Sequence, residues 1–337
     1  MNTPLPSWLD FVAIPASWLY GLLVRCRNSI YANGRNVMRV PLPVISVGNM
    51  TVGGTGKPPL VTWIVRQLRA SGHNPAIVMR GYASVDPVLA DEAVEYKERL
   101  DDIDVIVGAD RFGQITKYIE AGGSADCLVM DDGFQHRKLH RDLDIVVLNI
   151  LRDTFSQRML PAGWLREPLA GLHRADAVVV SHAQRSDPSF GKSVQDISGK
   201  EPISWTSHHW TGLSIHDESG TSDAGLDWLT GRSVAVRLGI GYPSSVIETL
   251  VRLGAKVASQ LPAGDHQPFT TSEIRTLVNT SKTVDAIVMT LKDWVKARDV
   301  VDLQSLHCPI IVPCLALEVV EGANELDSLL ETVFKLG

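Results

Sequence analysis

The sequence has few cysteines, no excess of positive charge and no internal repeat or low-complexity segment among its 337 residues. Its four cysteines, Cys26, Cys127, Cys308 and Cys314, form no CxxC pair, which favours reduced thiols in a cytosolic compartment. The formal net charge of −6 argues against non-specific binding of nucleic acid, because such binding needs a basic surface. We therefore expect no nucleic-acid partner, and the sequence points to no protein partner. The length allows two α/β domains.

The N-terminal segment lacks the basic region and the small-residue cleavage site of a secretory signal peptide. The stretch LPSWLDFVAIPASWLYGLLV is nonetheless apolar, and four arginines follow it. On a helical wheel its apolar face contains Trp8, Phe11, Val12, Trp18, Leu19, Leu22 and Leu23. The opposite face contains Ser7, Asp10, Ser17, Gly21 and Arg25.

Three placements of this helix remain open from the sequence. A helix lying in the membrane interface is favoured, because two tryptophans on an apolar face suit that environment and the arginines attract an anionic leaflet. Packing on the protein's own sheet is the second placement. A membrane span is the third, since it would bury Asp10 in lipid at a cost of ~3 kcal/mol.

Short apolar runs alternate with helical stretches from residue 40 onward. Runs rich in β-branched residues predict strands at 44–47, 76–79, 105–107, 127–130, 145–148 and 177–181. Helices are predicted at 59–70 and 110–121, so the first domain is expected to have a parallel sheet. Residues 184–220 are polar and are predicted to be an irregular boundary. A second αβ series with a final helix at 323–336 is predicted beyond it.

The stretch GGTGK at residues 53–57 predicts a phosphate-binding loop. It follows an apolar strand and precedes a helix, where glycines let backbone N–H groups surround phosphate and the helix adds its positive dipole end. Lys57 is placed to reach the β- and γ-phosphates. The strict P-loop pattern fails at Thr51, in place of the first glycine, and at Pro58, in place of the hydroxyl residue.

An acid pair, Asp131 and Asp132, ends the predicted strand at 127–130. Carboxylates at the C-terminal end of a buried strand next to a P-loop hold magnesium in many nucleotide-binding proteins. Capping of a turn is the other interpretation of these residues. His136 and His140 are four residues apart, but the sequence shows no third zinc ligand near them.

Four motifs together closely resemble the tetraacyldisaccharide 4'-kinase (lipid A 4'-kinase) family: SVGNMTVGGTGKPP, MRGYA, DDGFQHRKLHRDLDIVV and LPAGWLREPL. The resemblance continues with LGIGYP, GDHQPF and TLKD. It implies ATP-dependent, Mg²⁺-assisted phosphorylation of the 4'-hydroxyl of a lipid-linked disaccharide 1-phosphate at the cytoplasmic face of the inner membrane. The implied fold is α/β: a P-loop NTPase-like αβα sandwich at 36–200, a second, smaller αβα domain at 201–337 closing over the cleft, and a membrane-associating N-terminal amphipathic helix at 1–35.

The resemblance also assigns roles to individual residues. The ATP-binding set is Thr51, Val52, Gly53, Gly54, Thr55, Gly56, Lys57 and Pro58. The catalytic set is Asp91 as general base, His266 as its partner, Lys57 and Asp132. The metal set is Asp131, Asp132 and Glu167. The substrate and phosphate set is Arg80, Tyr82, Arg111, Gln135, His136 and Arg166.

Two departures from the family pattern leave an alternative open. Pro58 replaces the family's threonine and removes a hydroxyl and an N–H donor, and Ala90 and Ala93 replace the family's glycine and proline around Asp91. The alternative is a nucleotide-binding regulatory relative with weak or no kinase activity. An ATP-dependent ligase of similar fold is a further option. A guanine switch is disfavoured, because TLKD has the wrong spacing for a base-reading motif.

Overall fold

The computed structural model describes residues 4–32, 34, 36–53, 55–80, 87–240, 243–263 and 269–335, with the backbone alone for residues 7 and 87–92. The helices are α1 (Asp10–Ala32), α2 (Lys57–Ala70), α3 (Pro87–Arg99), α4 (Arg111–Glu120), α5 (Pro188–Ser198), α6 (Pro243–Arg252), α7 (Thr271–Ser281), α8 (Leu291–Ala297) and α9 (Ala323–Lys335). The strands are β1 (Val44–Asn49), β2 (Pro75–Met79), β3 (Val105–Val107), β4 (Cys127–Asp131), β5 (Leu143–Asn149), β6 (Ala177–Ser181), β7 (Ser204–Asp217), β8 (Gly220–Ala224), β9 (Ser233–Arg237), β10 (Lys256–Leu261), β11 (Ala286–Met289) and β12 (Ile310–Glu321).

The chain divides into two compact units, each formed from separate segments. Unit 1 comprises Met1–Ala83, Asp102–Ser207 and Leu317–Gly337, and unit 2 comprises Ser84–Asp101 and His208–Ala316. The change at Ser207–His208 lies close to the predicted division at residue 200, while Ser84–Asp101 belongs to unit 2 and the C-terminal segment to unit 1. Leu326 of α9 is buried, and Phe334 stacks on His73 with ring centroids 3.7 Å apart.

Unit 1 contains a parallel sheet in the order β7-β6-β5-β1-β4-β2-β3. All the strands predicted for the first domain are present. β1 lies between β4 and β5, and Val47 of β1 is in register with Asp131 of β4. Apolar side chains of β1, β2, β4 and α4 share one core cluster that includes Val44, Val78 and Ile115. The predicted phosphate loop and the predicted acid pair therefore lie at the ends of adjacent strands.

The polar stretch at 184–220 contains the change from unit 1 to unit 2 at Ser207–His208, as predicted, but its prediction as irregular was wrong. It contains α5 and most of the long strand β7. Asp187 caps α5 by accepting from the backbone N–H groups of Ser189 and Phe190. β7 is buried on both sides only at its start and half-exposed beyond it, so it contains serine, histidine and threonine instead of a continuous apolar run.

Unit 2 contains a second parallel arrangement in the order β10-β9-β11-β12, and the end of β7 forms an antiparallel hairpin with β8. A buried ion pair joins Arg237 at the end of β9 to Asp293 of α8, with Nη1 3.1 Å from Oδ1. The Thr290 hydroxyl donates to Asp293 Oδ2 (2.6 Å), and its oxygen accepts from the Asp293 N–H at the start of α8. The TLKD motif thus forms a helix cap.

Helix α1 packs on unit 1 through small residues and exposes its apolar face. Ala13, Ser17, Gly21 and Val24 are buried, whereas the seven predicted apolar-face residues are 54–74% exposed. The helix therefore packs on the protein through the face that contains its small residues. This differs from the placement in which the apolar face packs on the protein's own sheet. Among the helices of the described residues, none has the length and apolar character of a membrane-spanning segment.

Candidate active site

The loop between β1 and α2 has the conformation needed to surround an anion. Gly53 and Gly56 have positive φ angles of 96° and 77°, which glycine adopts without strain. Asn49, at the end of β1, donates from Nδ2 to the Thr51 carbonyl (2.7 Å) and to Thr55 Oγ1 (3.0 Å). The loop is therefore shaped by the strand that precedes it. Gly54, also in the predicted ATP-binding set, lies outside the described residues.

Two neighbouring strand ends brace the same loop. Ser181, the last residue of β6, donates its hydroxyl to the Thr55 carbonyl at 2.8 Å. Arg152, just beyond β5, donates from Nη1 to the Val52 carbonyl at 2.8 Å. Its Nη1 and Nη2 also lie 3.0 Å from the position that a Cβ would take on Gly53. The loop thus has a guanidinium beside it that the sequence analysis did not identify.

Helix α2 begins at Lys57, and the first turn then contains Pro58 and Pro59. Proline is tolerated in a first turn, because N–H groups there have no intrahelical partner. Each proline nevertheless lacks a backbone N–H group that could donate a hydrogen bond to phosphate. Anion binding at this helix start therefore depends more strongly on the Lys57 side chain than it would if a serine or threonine followed the lysine.

Asp132 is the acidic centre of the site. Its Oδ1 lies 3.1 Å from Lys57 Nζ and 2.6 Å from Arg166 Nη1. Burial raises the pKa of Asp132, but the nearby charges of Lys57 and Arg166 outweigh burial and hold the pKa well below its ordinary value. Its backbone has φ = 53°, a left-handed conformation that aspartate adopts more readily than most residues. The site thus has a carboxylate whose ionised form is stabilised by two neighbouring cations.

Arg111 lies beneath the turn that contains the two acids. Its Nη2 donates to the Asp131 carbonyl (2.7 Å) and its Nη1 to the Asp132 carbonyl (3.1 Å). Burial lowers the pKa of Arg111 to about 10, although both aspartates counteract that effect. Arg111 is only 1% exposed, and its two hydrogen bonds to backbone carbonyls hold the turn in place. Its role as a substrate or phosphate contact stays a prediction.

Glu167 does not have the environment of the predicted metal ligand. It is fully buried, and Arg174 Nη1 donates to its Oε2 at 2.7 Å. Gln135 Nε2 donates to its Oε1 at 2.9 Å, and Asn28 of α1 donates to its Oε2 at 3.3 Å. Both oxygens accept hydrogen bonds from protein donors, and the side chain has no exposed surface that a metal ion could reach. Glu167 is therefore an anchoring group in this structure.

Gln135 and Arg166 connect that anchor to Asp132. Gln135 donates to the Asn49 carbonyl (2.8 Å) and accepts from Arg166 Nη1 (3.2 Å). Arg166 Nη1 also lies 3.3 Å from Asn49 Oδ1. Gln135 is therefore engaged with the protein at both ends of its amide, whereas Arg166 remains partly exposed beside Asp132.

The remaining predicted residues are placed as follows. Arg80 follows β2 directly and is exposed. Burial, with the charges of Arg111, Arg141 and Lys138, lowers the pKa of His136 to about 4, so its ring is neutral at pH 7. Tyr82 and His266 lie outside the described residues. Asp91 lies in α3, and its side chain is outside the described part of the chain.

A family model described as tetraacyldisaccharide-1-P 4'-kinase (LpxK) matches residues 9–335. This chain belongs to that family. The tetraacyldisaccharide 4'-kinases of Chlorobaculum parvum and Chlorobaculum tepidum are 33% and 35% identical to it, over 97% and 95% of this chain and 95% and 97% of their own lengths. A crystal structure of LpxK from Aquifex aeolicus in complex with ATP has a TM-score of 0.70 and 26% identity, covering 95% of this chain and 98% of that one.

Family membership confirms the predicted recognition and the predicted P-loop NTPase-like α/β fold. The site also includes two arginines that sequence analysis of this family member missed. Arg152 could have been suspected, because NILRD follows a strand parallel to β1 and so ends at the same sheet edge. Arg174 had no comparable signal, since its partner Glu167 is identified only by the folded structure.

The acid pair fits a magnesium ion bound together with a nucleotide. Magnesium usually takes one or two carboxylates and completes its coordination with water and phosphate oxygens. Asp132 is ionised and partly exposed, and Asp131 precedes it at the end of β4. Within the described residues, no three His, Cys, Asp or Glu side chains form a metal-binding group. By their chemistry and their place at the end of β4, Asp131 and Asp132 are the residues that would hold the ion.

Proposed function

We propose that this protein transfers the γ-phosphoryl group of ATP to the 4'-hydroxyl of a tetraacyldisaccharide 1-phosphate at a membrane surface. The observation that carries the proposal is the cluster of Lys57, Asp132 and Arg166 beside a glycine loop, in a member of this kinase family. A transferring phosphoryl group spreads negative charge over its oxygens, so catalysis consists mainly of positioning and charge stabilisation.

The residues of unit 1 divide that work. The N–H groups of the loop around Gly53 and Gly56 bind phosphate oxygens, and Lys57 leaves Asp132 to neutralise the β- and γ-phosphates. Arg166 and Arg152 supply further positive charge at the loop. When bound with ATP, magnesium supplies charge neutralisation of the phosphates, and Asp132 with Asp131 would hold it.

The acceptor side rests on the family resemblance. Asp91 is proposed to accept the proton of the 4'-hydroxyl, and His266 to orient Asp91, because a base within hydrogen-bond reach of the hydroxyl makes its oxygen a better nucleophile. Arg80 and Arg166 suit phosphate groups, because a guanidinium donates to two oxygens at once.

The exposed apolar face of α1 is proposed to lie on the membrane that contains the lipid substrate. Seven large apolar side chains point away from unit 1, and Arg25 and Arg27 are exposed on the same helix. Exposure of such a face to water is unfavourable, and its burial at the acyl-chain boundary is favourable. The arginines are attracted to anionic headgroups. The proposed location is the cytoplasmic face of the inner membrane.

Trp18→Ser/Leu22→Ser is expected to bind vesicles containing anionic lipid roughly 10- to 100-fold more weakly, because two large side chains no longer leave water. Vesicle sedimentation measures the bound fraction. The matched control is Val251→Ser/Val300→Ser, which removes two apolar side chains of similar exposure from unit 2. Equal vesicle binding by the two double variants would contradict the proposed surface.

Pro58→Thr is expected to lower the magnesium concentration needed for half-maximal rate about 2- to 10-fold, because threonine restores a hydroxyl ligand and an N–H donor. Steady-state rates across a magnesium titration measure the change. The wild-type chain is expected to be active already. A chain that gains activity only with this substitution would favour the regulatory relative.

The direct test of function is incubation of the purified protein with γ-labelled ATP and a tetraacylated disaccharide 1-phosphate in detergent micelles. Label in the lipid fraction, dependent on the 4'-hydroxyl, is the expected result. Nucleotide binding without label transfer would support the regulatory relative instead. Release of label only as free phosphate would also contradict the proposal.

A further inference from the structure

Helix α1 makes polar contacts with the active-site segment that it covers. The Tyr20 hydroxyl donates to the backbone carbonyl of Arg166 at 2.9 Å. Asn28 Nδ2 donates to Glu167 Oε2 at 3.3 Å. These two bonds come from the protein-facing part of the helix and reach consecutive residues. They are distinct from the exposed apolar face.

The two residues that α1 contacts are those that organise the acidic centre. The side chain of Arg166 lies 2.6 Å from Asp132 Oδ1, and Glu167 accepts from Gln135, which in turn accepts from Arg166. A displacement of the Arg166 backbone therefore moves the guanidinium relative to Asp132. Small misplacements of groups that stabilise developing charge lower the rate strongly.

The far end of α1 is fixed by a further contact. Arg137, in the segment following the acid pair, donates from Nη1 to the Asn28 carbonyl at 2.6 Å. Gly21 lies 3.9 Å from Met159 Cε, as measured from the position of a Cβ, so the helix approaches unit 1 closely at that point. Helix α1 is thus held against the rest of unit 1 around Tyr20 and again at Asn28, the two residues that contact Arg166 and Glu167.

We infer that α1 is a positioning element of the phosphoryl-transfer site as well as the proposed lipid-binding surface, with Tyr20 and Asn28 as its positioning residues. This inference rests on the proposed function and specifies what positions Arg166 in the same site: a change in how α1 packs on the rest of unit 1 alters the placement of Arg166 next to Asp132. The two roles use opposite faces of one helix.

Tyr20→Phe keeps the ring and removes only the hydroxyl that donates to the Arg166 carbonyl. It is expected to lower kcat about 2- to 10-fold, the effect of one hydrogen bond, with vesicle binding unchanged. Tyr31→Phe is the matched control on the same helix, since the Tyr31 ring packs near Arg137 (5.9 Å) and phenylalanine retains that ring. Its kcat is expected to equal that of the wild type.

A double-mutant cycle with Arg166→Met separates positioning from a general loss of stability. If Tyr20 acts through Arg166, Tyr20→Phe causes no further loss of kcat once the guanidinium is absent. An equal loss in both backgrounds, or an unchanged kcat in Tyr20→Phe alone, would overturn the inference. An inactive wild type would refute the proposed function and this inference with it, whereas an active wild type with an unaffected Tyr20→Phe variant refutes only the inference.

Discussion

Asp132→Asn is expected to lower kcat about 10²- to 10³-fold, because the amide removes the charge that Lys57 and Arg166 surround and that magnesium needs. The two side chains are nearly the same size, so the turn after β4 is expected to persist. Asparagine also tolerates the left-handed backbone at φ = 53°. Transfer of labelled phosphoryl to the lipid at saturating ATP and magnesium measures the loss.

The control for this substitution is Asp102→Asn, a close match within unit 1. Asp102 also has a left-handed backbone, with φ = 49°, and its side chain is exposed. The control therefore applies the same chemical change in the same backbone conformation, outside the site. If both variants kept wild-type kcat, Asp132 would have no catalytic role and the magnesium assignment would be wrong.

Arg174→Met is expected to reduce the free energy of unfolding by about 3–5 kcal/mol, the usual cost of leaving a buried charge without its ionic partner. Glu167 is fully buried, and Arg174 donates to both of its oxygens, at 2.7 and 3.3 Å. Methionine preserves most of the side-chain volume over the Phe134 ring, where the guanidinium carbon lies 4.2 Å from the centroid. Chemical denaturation followed by circular dichroism measures the change.

Two comparison variants define the cause of that destabilisation. Arg185→Met changes an exposed arginine in unit 1 and is expected to remain within about 0.5 kcal/mol of the wild type. Glu167→Gln/Arg174→Met removes both charges and is expected to recover much of the lost stability, because no unpaired carboxylate remains buried. Equal stability of Arg174→Met and Arg185→Met would show that the ion pair contributes little.

The phosphate loop and the acid pair were predictable because each is encoded in one short stretch of sequence. A β-branched run, a glycine-rich turn and a helix start specify the loop around Gly53, and four apolar residues before Asp131 specify β4. Parallel neighbouring strands then bring Val47 and Asp131 into register, as the structure shows. The family motifs predicted Lys57 and Asp132 for the same reason, and the structure places them 3.1 Å apart.

The contacts of Glu167 and Arg111 could not be predicted, because they depend on partners distant in sequence or on burial. Glu167 accepts from Asn28, 139 residues away, and nothing in LREPL indicates that its oxygens are occupied. Arg111 looks like an ordinary helix-start arginine until the fold buries it under the acid turn. Strand β7 was missed because its half-exposed part has the polar composition of a loop.

The order of the segments in unit 1 has a consequence for synthesis on the ribosome. Strands β1–β6 are translated before His208–Ala316, the larger segment of unit 2, but α9 emerges only after all of unit 2. The apolar surface that Leu326, Leu330 and Val333 cover is therefore unprotected for that interval, alongside the apolar face of α1. A nascent chain with two such surfaces is prone to aggregate, so early delivery to lipid or to a chaperone would favour its correct maturation.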